Sequence, residues 1–212
     1  MHMGQGCSTS LTRIGDPVTL TMDAWQLWAK TPSERARGVE ELGVRVWLAL
    51  VQHLRDAADV GERLVTQWLP RQLQDRLAGI CGGDLDQAAR LVALLCGVHD
   101  IGKADVAFQS QIDGSPEHGW LWDQVRSLPS CPPLNGGVPE PKPQHAEVSD
   151  LILRRCFARI FPDANPAAIR SVTVTAGCHH GRLGELGPLA GPSGGRAHQL
   201  SLWLDRHGTC LL

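Results

Sequence analysis

The segment Leu91 to Gln109, reading LVALLCGVHDIGKADVAFQ, constrains this chain more than any other. Its first half, with Leu85, Ala88, Ala89, Leu91, Val92, Leu95 and Cys96, is apolar on nearly every face of a helix. Such a helix belongs inside a bundle. It ends by placing an imidazole and a carboxylate, His99 and Asp100, side by side, with Gly102, Lys103, Phe108 and Gln109 close behind. A buried helix that finishes on adjacent metal-ligand types asks for ligands from elsewhere in the chain.

The rest of the chain offers them. Between residues 40 and 60, Val46, Leu50, His53 and Ala57 recur at spacings of four, three and four, a helical face that Trp47, Val51 and Leu54 widen. A lone histidine on such a face is as a rule a hydrogen-bonded core residue; the later histidines strengthen the ligand reading for His53. A helix over 144–161 carries His145 in its first turn, with Ser149 and Cys156 on the same face. Asn165-Pro166 opens a further helix that closes on Cys178-His179-His180-Gly181.

Imidazole nitrogen with carboxylate oxygen is a transition-metal donor set and not a calcium set. The cysteines do not form close-spaced pairs, so a structural zinc knuckle is excluded. His53, His99, His145, His179 and His180 exceed what one tetrahedral ion takes; two ions bridged by Asp100 would use them all. A pair of ions roughly 3.5–4 Å apart suits phosphodiester hydrolysis. Lys103, three residues beyond Asp100, is placed to reach a phosphate as a fixed cation. Phe108 reads as a packing anchor, and Arg154, Arg155 and Arg159 as a solvated basic face that could border a groove.

Shorter elements complete an all-α reading: a helix over 22–29, helix over 64–69 and 72–80, Gly82-Gly83 as a stop with Asp84 as the next N-cap, and a short helix over 104–111. The stretch 113–143, rich in proline, reads as irregular surface insertion; His118 within it takes no role. Residues 1–20 read as loosely ordered and 182–212 as an irregular tail, so 1–212 is expected to form one domain.

With 212 residues and 42% apolar composition, the chain can bury a substantial core. No apolar run approaches the roughly 18 residues of a membrane span, and the first residues do not form a secretory signal. The seven cysteines read as reduced core residues of a cytoplasmic protein. Seven tryptophans stand against no tyrosine; Trp25, Trp28, Trp47 and Trp68, at helical spacings, are expected in the core. A net charge of −2 excludes a polycation that coats nucleic acid, although two divalent ions would supply positive charge where a phosphate sits.

Taken together, these residues resemble the HD superfamily of metal-dependent phosphohydrolases. More narrowly, they are similar to the HD nuclease domain of the CRISPR-associated type I nuclease–helicase recruited by the Cascade complex. The resemblance rests on Leu27-Trp28-Ala29-Lys30-Thr31, His53, HDIGKADVAFQ, His145-Ala146-Glu147-Val148-Ser149 and Gly177-Cys178-His179-His180-Gly181. It implies a helical HD bundle with long loops. It also implies a first ion on His53, His99 and Asp100, and a second on Asp100, His145, His179 and His180. Iron, manganese, nickel or cobalt are the implied metals, ahead of magnesium or zinc. The implied activity is cleavage of single-stranded DNA in antiviral defence, with Asp100 and Lys103 catalytic; the same chemistry would serve an HD phosphohydrolase of nucleotides or cyclic dinucleotides. The family's full-length members continue into a helicase. This chain carries no G-x-x-x-x-G-K-[ST] loop, so the expectation is a nuclease subunit or a fragment of a longer protein, with helicase in cis or in trans. The family's further carboxylate for the first ion has one counterpart here, Asp205, nearer to His180 than the resemblance implies and left outside the ligand set.

Overall fold

A computed structural model of the chain describes residues 22–31, 46–131, 142 and 144–180. The segments 1–20 and 182–212, and with them Asp205, lie outside the described residues, as do 132–141 and 143 of the proline-rich stretch. The described chain is mostly helical. After a 3-10 turn, Met22–Gln26, come strands β1 (Trp28–Lys30) and β2 (Leu48–Ala49). The helices follow as α1 (Leu50–Arg63), α2 (Arg71–Ile80), α3 (Leu85–Val98), α4 (Val106–Gln109), α5 (Gly119–Arg126), α6 (His145–Ile160) and α7 (Pro166–Gly177). A 3-10 turn, Ile101–Ala104, joins α3 to α4. No helix among the described residues is long and apolar enough to cross a membrane.

Local chemistry sets the helix ends. Gly82 and Gly83 adopt φ of 68° and 92°, which only glycine takes without strain, and so end α2. Asp84 then accepts a hydrogen bond from the Gln87 amide at 3.0 Å and starts α3. Asn165 accepts from the Ala167 amide at 2.8 Å, with Pro166 in the first turn of α7.

The core gathers Leu27, Trp28, Leu50, Val106, Leu121, Trp122, Val125, Val148, Leu151 and Ile152, from β1, α1, α4, α5 and α6 and the residue just before β1. α1 and α3 pair most extensively, and α6 packs on both α7 and the 101–104 turn. The α1–α3 approach is close because small residues face each other: a Cβ on Gly97 would lie 3.1 Å from the Ala58 Cβ, and one on Gly61 would lie 2.8 Å from Cys96 Sγ. The five described cysteines are half-buried, and Cys81, Cys96, Cys156 and Cys178 are free, as expected of reduced packing residues.

Four expectations are corrected. The 22–29 segment ends in a strand, not a helix: Trp28–Lys30 pairs antiparallel with Leu48–Ala49, which moves the start of α1 to Leu50. A ladder this short leaves no alternation to read. Residues 119–126 form a helix inside the stretch expected to be irregular, because Leu121, Trp122 and Val125 bury one face in the core. Trp68 is 77% exposed, since the π-helical turn Leu64–Trp68 buries Val65 instead. Arg154 is buried, because Asp150 one turn earlier holds it in a bidentate pair, the Nε bond being 2.9 Å. Arg155 is half-buried, and only Arg159 of the three is exposed.

Candidate metal centre

Asp100 is 3% exposed at the crossing of α1, α3, α6 and the end of α7. The apolar faces of α3 carry it there, and the 101–104 turn fixes its backbone: its carbonyl accepts from the Lys103 amide at 2.9 Å. Gly102 lets that turn lie against α6. A methyl at this position would overlap the His145 carbonyl oxygen and come within 2.6 Å of the Ser149 nitrogen. The Gly102 amide donates to Ser149 Oγ at 2.9 Å, so the contact is sealed by a buried hydrogen bond.

Both oxygens of Asp100 are surrounded. Oδ2 lies 2.9 Å from His53 Nε2, 3.2 Å from His99 Nε2 and 2.7 Å from Lys103 Nζ. Oδ1 lies 3.2 Å from His145 Nε2 and 3.1 Å from His179 Nε2. His180 Nε2 approaches His145 Nε2 at 2.8 Å. His53 donates a well-formed hydrogen bond to Oδ2. The two rings near Oδ1 are not so aligned, and this buried oxygen lacks a hydrogen bond. Such an orphan acceptor costs ~1–3 kcal/mol.

Two rings are oriented from behind. His99 Nδ1 donates to the Cys96 carbonyl at 2.6 Å, and His179 Nδ1 donates to the Ala176 carbonyl at 2.9 Å. Each bond assigns the ring proton to Nδ1 and leaves the neutral ring's Nε2 lone pair facing the carboxylate, the outer-shell arrangement of metal-bound histidine. Two lone pairs face to face repel unless a cation joins them. The His–carboxylate separations of 3.1 and 3.2 Å leave these donor atoms close enough for one cation to be held between them. Two donor groups result: His53, His99 and Asp100, and Asp100, His145, His179 and His180, with the atoms of each within 4.8 Å of one another. The donor chemistry, the orphan oxygen and the fixed tautomers all fit divalent transition cations.

The electrostatics agree. Burial pushes the Asp100 carboxyl up, but the facing side chains of His145, His179, His99 and Lys103 outweigh it and hold the group far below the ordinary carboxylate range. Asp100 is therefore an anion at any physiological pH. Burial lowers His53 and His180 below the usual imidazole range, favouring the neutral form a metal needs. His179 is raised by the Asp100 carboxylate that faces it, against burial.

The structure thus brings His53, His99, Asp100, Lys103, His145, His179 and His180 to one place, and leaves His118 apart from them in the α5 cap. Phe108 forms a wall of the site, its ring 4.6 Å from that of Trp28 and 5.5 Å from that of His145. Two supporting residues had no assigned role in the sequence reading. Ser149 seats Gly102. Gln109, fully buried, donates to the Lys103 carbonyl at 2.6 Å and the Trp28 carbonyl at 2.9 Å, and accepts from the Trp28 amide at 3.2 Å. The available signal was a polar side chain on a face that packs inward.

Residues 28–206 match the family model for the HD domain of Cas3. Over 87 residues the chain is 36% identical to the CRISPR-associated nuclease/helicase Cas3 of Streptococcus thermophilus, a match covering 40% of this chain and 9% of that protein. The fold is similar to a solved crystal structure of a CRISPR-associated protein, with a TM-score of 0.57 and 27% identity, covering 74% of this chain and 15% of that one. The chain therefore corresponds to a small part of the length of these relatives.

Proposed function

The chain belongs to the Cas3 HD domain family, and from that premise we propose that it is the metal-dependent nuclease unit of CRISPR interference, cutting phosphodiester bonds of single-stranded DNA. The observation that carries this reading is the convergence of four imidazoles on the two oxygens of one buried carboxylate, with a fifth, His180, grouped beside them. In this reading 1–212 is one nuclease unit of a cytoplasmic protein. A helicase, in the same longer chain or in trans, feeds it strand, and a Cascade-type complex recruits it.

His53, His99 and Asp100 hold one divalent ion, and Asp100, His145, His179 and His180 the other; iron, manganese, nickel or cobalt match the imidazole-rich set. Bound ions supply Lewis acidity and a water of lowered pKa for attack on phosphorus. The chain's own groups do the rest. Asp100 joins the two groups and, by its low pKa, keeps both oxygens available. The Cys96 and Ala176 carbonyls hold the His99 and His179 rings in their donor orientation. Lys103 adds a cation beside the reacting phosphate. Phe108 walls off the Asp100 side without needing to stack on a base.

Metal-stripped protein reloaded with manganese is expected to degrade circular single-stranded DNA, and Asp100→Ala is expected to abolish this. Intact circles from the loaded wild-type protein would overturn the reading. A substrate panel containing nucleotides and cyclic dinucleotides separates a nuclease from a nucleotide phosphohydrolase.

A further inference from the structure

Asp100 meets its neighbours unevenly. Oδ2 already holds a hydrogen bond from His53 at 2.9 Å and the Lys103 ammonium at 2.7 Å. Oδ1 has no hydrogen bond and no internal cation, although two imidazoles stand within 3.2 Å. The Oδ1 side also offers three imidazoles against two.

We propose that the two donor groups load unequally, with His145, His179, His180 and Oδ1 taking the first divalent ion tightly, while Lys103 guards Oδ2 and weakens the second. This rests on the reading of the cluster as a metal centre. A cation gains most where a buried anion is uncompensated, which is Oδ1. At Oδ2 an incoming dication must displace an ammonium from the same oxygen, or bear its repulsion at short range in a buried site. The displaced ammonium has a seat: Lys103 Nζ already lies 5.5 Å from the centre of the Phe108 ring, within cation–π reach. The base of the lysine cannot follow, because its amide is bonded to the Asp100 carbonyl and its own carbonyl accepts from Gln109. Lys103 is thereby a positioning residue that sets the order of metal loading, and the second ion is what frees its charge from Asp100.

The test is calorimetric titration of the metal-stripped full chain with manganese, with cobalt absorption as a second readout. The wild type is expected to bind two ions in steps that differ at least about tenfold in affinity. Lys103→Met removes the charge at similar length; it is expected to tighten the weaker step about tenfold and to leave the tight step within about threefold. Lys103→Gln serves if the methionine variant does not fold. His53→Ala should remove the weaker step, and His180→Ala should weaken the tight one. Two equal steps in the wild type, or a weaker step that does not respond to loss of the lysine, overturns the inference while leaving the metal centre standing. A wild-type protein that binds no ion overturns the metal-centre reading itself.

Discussion

Glycine brings elements close together at several places among the described residues, and two of these contacts differ in what lies opposite. Between α1 and α3, Gly61 faces Cys96 Sγ and Gly97 faces the Ala58 Cβ, so side chains fill the space. Between the 101–104 turn and α6, Gly102 faces the His145 carbonyl oxygen and the Ser149 nitrogen, so main chain fills it. Side chains can shift by a few tenths of an ångström or be replaced; helix backbone cannot without moving its neighbours. The first contact builds the bundle. The second sets the distance between Asp100 and His145, and it is the less forgiving of the two.

The comparison can be broken most sharply at Gly102. Gly102→Ala is expected to cost more than about 4 kcal/mol or to prevent folding, read by urea unfolding; a stable variant that still binds manganese would mean that the turn has room to retreat. Gly61→Ala should cost about 1–2 kcal/mol, and Cys96→Ala in the same chain should recover most of it. A double-mutant cycle without coupling would show that the sulfur is not the obstacle. Gly97→Ala is the mildest case. The 3.1 Å approach to Ala58 is offset by the ~0.5–1 kcal/mol that alanine gains over glycine in a helix. Unfolding midpoints close to wild type are expected, and a loss comparable to that at Gly102 would erase the distinction between the two contacts.

What the sequence revealed divides along similar lines. The six residues around Asp100 were legible because each stands on a helical face or helix end whose apolar period points inward, and chemistry then groups them. The mostly helical architecture followed from the same period. The small sheet was hidden because Trp28–Lys30 and Leu48–Ala49 are too short to alternate, and because tertiary pairing, shown by the Leu50 amide bonded to the Leu27 carbonyl at 2.7 Å, decides their shape. Helix 119–126 was hidden by its surroundings: glycine and proline on either side outweighed three inward-facing residues. Arg154 was read outward because burial of a guanidinium depends on a partner, and Asp150 reveals itself only when α6 is packed. The seat for Gly102 was invisible for a different reason. A one-dimensional pattern shows which residues are small, but not whether main chain or side chain lies across from them.

The fully buried Gln109 amide, 81 positions along the chain from Trp28, links β1 to the turn that carries Lys103. A single primary amide thus acts as a splice between the little sheet and the reactive end of α3. Because a buried carbonyl left without its donor is costly on either side, the two cannot loosen independently. Amide-exchange protection at residues 28–30 should therefore report, from a remote and chemically inert strand, on how firmly the histidine–aspartate turn is closed.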